Sequence, residues 1–263
     1  MKKLFTITSL VFLCSTLNVK SQNLFNQDFT YYNVLENYFN SKSTVVNQFD
    51  YISNHENAPA SVTAGVFSWN KNGNTSPAFL IKNTPFAGNP TFLKFQMRVR
   101  FLPPENLAAT SSGSSFLCIG DGINGTWTYK NANAGAVPRP VESFARVDFL
   151  YKVLPEGVSF RAGGSTTWFS GWQDITMFCN KTDYPVSYVG PDNVATTVNG
   201  FYSDLWIGTI KVRANIRPEV GPSAVDLKKF KIVFPAALQN MKIEIDYIKV
   251  WDESVLIDAK GKS

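Results

Sequence analysis

The side chains of this 263-residue chain best suited to chemistry are aromatic rings beside polar turns. Trp127 and Tyr129 follow the glycine-rich run Gly120–Gly125, and Trp168-Phe169-Ser170-Gly171-Trp172 brackets a glycine, with Arg161 nearby in sequence. A sugar ring presents a flat C–H face that packs on an aromatic plane, while its hydroxyls need hydrogen-bonding groups around the edge. Trp168, Trp172, Trp127, Tyr129 and Arg161 are therefore candidate carbohydrate-binding residues. The competing reading is that the rings fill a core. Alternation over 126–130 puts Trp127 and Tyr129 on one strand face, which is more often buried than open. Trp168 and Trp172 flank a turn and are expected to be exposed, whereas Trp206 and Trp251 sit among apolar strand residues and are expected in the core.

Other chemical vocabularies are sparse. His55 is the one histidine, too few for an imidazole-based metal site and the only partner available to a cysteine nucleophile, so neither Cys118 nor Cys179 reads as catalytic. The run Gly120-Asp121-Gly122-Ile123-Asn124-Gly125 has the G-x-G-x-x-G spacing, but the next residues are strand-like, so the helix N-terminus that would hold a phosphate is missing and a glycine turn between strands is expected. Cys118 and Cys179 each lie in an apolar run. In an exported protein they are a candidate disulfide, which would add roughly 4 kcal/mol on the chain-entropy model; the alternative is two buried free thiols.

The N-terminus has the organisation of an export signal: Lys2 and Lys3, then an apolar run from Leu4 to Leu17, then the small-residue site around Ser21. Residues 1–21 are read as a signal peptide and 22–263 as one domain with a short polar tail after Trp251. Removal of the signal takes Lys2, Lys3 and Lys20 and no acid, so the formal charge falls from +5 to +2. That small surplus has no basic stripe, which argues against a nucleic-acid surface. No apolar run after the signal is long enough for a membrane-spanning helix. Periplasm, cell surface and medium are the expected destinations.

The elements that must position these residues are short and extended. Over Thr91–Phe101, Leu93, Phe95, Met97, Val99 and Phe101 alternate with Lys94, Gln96, Arg98 and Arg100, the period of two of a half-buried strand whose polar face meets solvent or a cleft. Similar segments recur at 24–30, 45–52, 62–69, 78–82, 116–119, 126–130, 144–153, 158–161, 166–169, 175–179, 205–214, 227–234 and 241–251. Only Tyr32–Phe39 suggests a short helix. Long loops are expected at 103–114, 131–142, 183–200 and 217–224. Strands at this spacing with turns between them indicate an all-β, two-sheet antiparallel sandwich.

The closing segment Met241-Lys242-Ile243-Glu244-Ile245-Asp246-Tyr247-Ile248-Lys249-Val250-Trp251 resembles the last strand of concanavalin A-like (laminin G-like) jelly rolls, and Leu24-Phe25-Asn26-Gln27-Asp28-Phe29 resembles their first. That group includes glycoside hydrolase family 16 and many secreted carbohydrate-binding modules. The signal segment ending in Ser-Gln is similar to those of Bacteroidetes-type bacteria. The resemblance implies a jelly-roll sandwich, and a structural calcium site that would map to Asp246 with Asp28 as partner. The hydrolase motif E-x-D-x-x-E begins at Glu244 and Asp246 but meets Lys249 where its second glutamate belongs. His55 does not sit in the pattern of the alginate-lyase relatives.

The expected function is an exported, non-catalytic glycan-binding module whose partner is a polysaccharide or surface glycan. Two alternatives stay open. One is a structural or adhesive component held against another cell-surface protein. The other is a hydrolase or lyase whose acids, such as Asp148, Glu142 and Asp174, converge from different strands.

Overall fold

The computed structural model describes residues 21–39, 47–72, 77–103, 114–121, 143–154, 157–218, 225–235 and 240–254. Trp127, Tyr129 and Glu142 lie outside the described residues, as does the signal segment 1–20. The described residues form seventeen strands, numbered along the chain, and one 3-10 turn, Leu35–Tyr38, where the short helix was expected.

The strands pair antiparallel into two large sheets and a separate hairpin. The larger sheet runs β15 (Ile210–Ile216), β14 (Tyr202–Ile207), β11 (Gln173–Asn180), β6 (Phe92–Leu102), β17 (Met241–Asp252), β4 (Val66–Lys71), β3 (Ala60–Thr63), with β1 (Gln22–Gln27) paired to the far end of β17. The smaller runs β10 (Phe169–Ser170), β9 (Gly157–Ala162), β8 (Ala145–Leu154), β7 (Ser114–Gly120), β16 (Lys229–Phe234), β5 (Ala78–Lys82), β2 (Tyr51–Ile52). The hairpin is β12 (Val186–Val189) with β13 (Ala195–Val198). This is the all-β, two-sheet antiparallel sandwich expected from the sequence.

The core lies where the two inner faces meet. Phe230 of β16 touches Phe25 of β1 and Phe95 of β6, with ring centroids 5.4 and 5.3 Å apart. Burying each such ring stabilises the fold by roughly 1.5–3 kcal/mol, so contacts between aromatics of opposite sheets largely hold the layers together. Trp69, wholly buried, spends its polar edge by donating its indole N–H to the Ser53 carbonyl at 2.9 Å.

Three sequence expectations change. Segment 62–69 is the hairpin β3–β4, turned at Ala64 and Gly65, both at positive φ (51° and 78°). Segment 205–214 is likewise two strands, β14 and β15, turned at Gly208 (φ 57°). Apolar alternation continues through such tight turns, which hides the reversal. Segment 183–200 contains β12–β13 rather than only loop, because Val186, Tyr188 and Val198 have an apolar face to bury. Cys118 and Cys179 are both buried and form no disulfide. They sit on different sheets, Cys179 facing the core with Ile175 and Met177, and Cys118 on the opposite face from Leu117 and Ile119. Burial pushes the Cys179 thiol up to about 12.

Candidate functional site

Every second residue of β6 points away from the core, so Phe92, Lys94, Gln96, Arg98 and Arg100 lie along the outer face of the larger sheet. The neighbouring strands complete cross-strand rows. Lys94 is opposite Phe178 and Trp251, Gln96 opposite Thr176 and Lys249, Arg98 opposite Asp174 and Tyr247, and Arg100 opposite Glu244.

A bulge makes the last rows possible. The register of β17 shifts between Ile245 and Tyr247, so Ile243, Ile245, Ile248 and Val250 all reach the core while Asp246 and Tyr247 are both left outside it. Without that extra residue the alternation would carry Tyr247 inward. Instead its hydroxyl donates to Asp174 Oδ1 at 2.6 Å. Burial, and then the Asp174 carboxylate, push the Tyr247 phenol well above its ordinary range.

Around that pair the charges are matched. Arg100 is bonded to Glu244, which Lys242 also reaches at 3.3 Å, and Arg98 faces Asp246 at 3.8 Å. The Arg100 guanidinium lies 4.6 Å and that of Arg98 5.9 Å from the ring centroid of half-buried Trp172. Lys249 lies over Tyr247 at 4.6 Å and Lys94 over Trp251 at 4.9 Å. Trp251 is thus partly exposed on this outer face rather than in the core, a correction that follows from its two-residue spacing from Lys249.

The other end of the same face is sealed. The β12–β13 hairpin lays Val186, Tyr188 and Val198 on Phe92, Phe178 and Trp206, with the rings of Tyr188 and Phe178 stacked 3.9 Å apart. Asp204, fully buried, accepts from Tyr188 at 2.6 Å, Lys211 at 2.9 Å and the Asn215 amide at 2.8 Å. Asn180 anchors the hairpin base, its side-chain nitrogen within hydrogen-bond distance of the carbonyls of Tyr184, Val198 and Asn199.

The structure separates the aromatic residues that the sequence put side by side. Gly171 (φ 65°) carries the chain from β10 of the smaller sheet to β11 of the larger. Trp168, 40% exposed, therefore belongs to the smaller sheet, with Arg161 at 5.2 Å and Lys152 at 5.8 Å from its ring. Trp172 belongs to the larger. Asp148 and Asp174 are likewise on different sheets. Asp174, Tyr247, Arg98, Arg100 and Glu244 were not singled out as binding residues, although the polar side of the β6 alternation was the available signal.

Calcium requires roughly six to eight oxygen ligands. Asp246 is engaged with Arg98, and Asp28 Oδ1 accepts from the Thr30 amide and hydroxyl at 3.2 and 2.8 Å. The described residues contain no group of three or more His, Cys, Asp or Glu side chains placed to hold a metal.

No protein-family model matches the chain, and no curated protein matches it in sequence. Among solved structures it is similar to LamA from Zobellia galactanivorans in complex with laminaritriose and laminaritetraose (13% identity, 88% of this chain and 98% of that one, TM-score 0.46). It is also similar to a carbohydrate esterase from the Shiga toxin-encoding bacteriophage phi24B (12%, 89% and 99%, TM-score 0.45) and to the Emp46p carbohydrate recognition domain (10%, 74% and 86%, TM-score 0.42). A sialidase matches as well, at 10% identity and TM-score 0.43; the chain spans 16% of its length. At these values the likeness concerns the sandwich architecture, and the function of this chain is read from its own side chains. None of the described helices is long and apolar enough to cross a membrane.

Proposed function

We propose that the protein binds carbohydrate on the open half of the outer face of the larger sheet. The observation that carries this reading is the half-buried Trp172 ring, with the Arg98 and Arg100 guanidiniums over it and those arginines set among Asp174, Glu244 and Tyr247, an aromatic plane next to donors and acceptors of both signs. A saccharide needs that combination, since its apolar ring face must find a flat partner while its hydroxyls exchange water for fixed donors and acceptors. Pairing among the charged groups keeps them rigid before a ligand arrives, which lowers the ordering cost of binding. Arg98 and Arg100 on the patch are paired with Asp246 and Glu244, which favours neutral sugars over strongly charged ones.

The test is retention of the chain from Gln22 onward in gels containing neutral β-glucans, followed by calorimetry with the corresponding oligosaccharides. Binding that falls at least ten-fold in Trp172→Ala and persists in Trp168→Ala supports the assignment. No retention by any plant, algal or bacterial polysaccharide, or retention indifferent to Trp172→Ala, overturns it and turns the search to a protein partner.

A further inference from the structure

Away from this face, a cleft of about 300 Å³ opens between the end of β15 and the β7–β8 pair of the smaller sheet. Its lining is unusually cationic: Arg146, Arg213 and Arg217 against one carboxylate, Asp148. Phe116 stands opposite Asp148 in the β7–β8 ladder, and the Arg146 guanidinium lies 4.7 Å from the Phe116 ring centroid. The chain makes room for these groups with two glycines. A Cβ at Gly163 would lie 2.3 Å from Asp148 Oδ1, and one at Gly164 (φ 79°) would lie 3.5 Å from Arg213 Nε.

Two observations mark the cleft as built for a ligand. Among the described residues Arg213 and Arg217 have no ion-pair partner, which leaves their guanidinium donors open to an anion in place of water. Ser143 also lines the cleft; it is 97% buried, yet its hydroxyl has no hydrogen-bond partner. An unpartnered buried hydroxyl costs stability, typically about 1–3 kcal/mol, which a ligand atom would offset. A guanidinium is planar and forked and matches an oxyanion with two parallel N–H bonds. The volume exceeds that of a bare oxyanion and suits one ring-sized group.

We propose that this cleft holds one acidic sugar unit, with its carboxylate or sulfate ester on Arg213 and Arg217, its hydroxyls toward Ser143 and Asp148, and Phe116 beneath it. In naming a sugar the proposal rests on the carbohydrate reading above. The two sites can nevertheless fail separately, because they share no residue and favour ligands of different charge.

The experiment is calorimetric titration of the chain from Gln22 onward with glucuronate, glucose 6-sulfate, glucose and sodium sulfate, with sodium chloride holding ionic strength constant. Saturable binding of glucuronate or glucose 6-sulfate, at least ten-fold tighter than sodium sulfate and absent for glucose, is the expected result. Affinity should fall at least ten-fold in Arg213→Gln and about three-fold in Ser143→Ala, and be unchanged in Trp172→Ala. If Arg213→Gln does not fold, Arg217→Gln, on an exposed side chain, serves in its place. A response no different from sodium chloride, or one that the arginine variants leave intact, overturns the proposal. Equal affinity for sodium sulfate overturns the sugar and leaves an ion site. Loss of β-glucan retention in Trp172→Ala with acidic-sugar binding preserved would show the two sites to be independent.

Discussion

The two halves of the outer face of the larger sheet are made by the same strands and meet opposite fates. At one end of β6 and β11, Phe92 and Phe178 are covered by the β12–β13 hairpin; at the other, Arg98, Arg100, Trp172 and Asp174 are only half-buried. Both halves contain an aromatic ring, a carboxylate and a tyrosine hydroxyl bonded to that carboxylate: Trp206, Asp204 and Tyr188 in the sealed half, Trp172, Asp174 and Tyr247 in the open one. Chemical vocabulary therefore does not distinguish a structural cluster from a binding site. Coverage does. In the sealed half the hairpin itself supplies the apolar partner, and Asp204 is satisfied three times over.

The largest effect should come from the sealed half. Asp204→Ala removes the acceptor of three hydrogen bonds from a site without solvent, and is expected to cost about 3 kcal/mol, read as a lowered urea midpoint with an unchanged slope. A cost under about 1 kcal/mol would mean that water reaches Asp204 and that the hairpin does not seal this end. Trp172→Ala should behave in the opposite way, with a stability change under about 1 kcal/mol but a loss of glucan affinity of about ten-fold or more. Equal responses in both assays from both variants would abolish the distinction between the halves.

Tyr247→Phe sharpens the comparison at a smaller scale. It removes the hydroxyl that holds Asp174 and keeps the ring under Lys249, so it should cost about 1 kcal/mol in stability and reduce glucan affinity a few-fold. The corresponding Tyr188→Phe should leave affinity unchanged, because its hydroxyl is enclosed between Asp204 and Trp206.

A pH dependence confined to alkaline solution is seated on the core side of the sealed half. Because burial pushes the Cys179 thiol up from 9.0 to about 12, the unfolded chain loses this proton at lower pH than the folded one. The folded state binds more protons over that window, so stability falls as pH rises from 9 toward 12, and Cys179→Ala should flatten the decline. In the native state below pH 9, neither Cys118 nor Cys179 should react with a thiol reagent, and both should react after denaturation. One rapidly reacting thiol in the native protein would show that its face is open.

The parts of this molecule legible in advance were those governed by local periodicity. The alternation of β6 and β17 marked half-buried strands, and the absence of long helical stripes marked an all-β chain. Turns at Ala64-Gly65 and Gly208 were missed because the apolar pattern runs on through them. The bulge at Asp246 was missed for a related reason: one extra residue is invisible until the facing strand shows where the pairing slips. Trp168 and Trp172 were placed together because they are four residues apart, yet one glycine between them carries the chain from one sheet to the other.

The amino-acid sequence by itself determined the class of fold, the inner face of most strands and the aromatic and polar side chains available for binding. These follow from hydrophobicity and a period of two within one strand. Only the tertiary structure decided that β11 and β17 flank β6, that Tyr247 meets Asp174, that a hairpin covers one half of the outer face, and that three arginines converge on a cleft elsewhere. Those outcomes depend on long-range pairing, register and coverage, which a pattern confined to one strand does not encode.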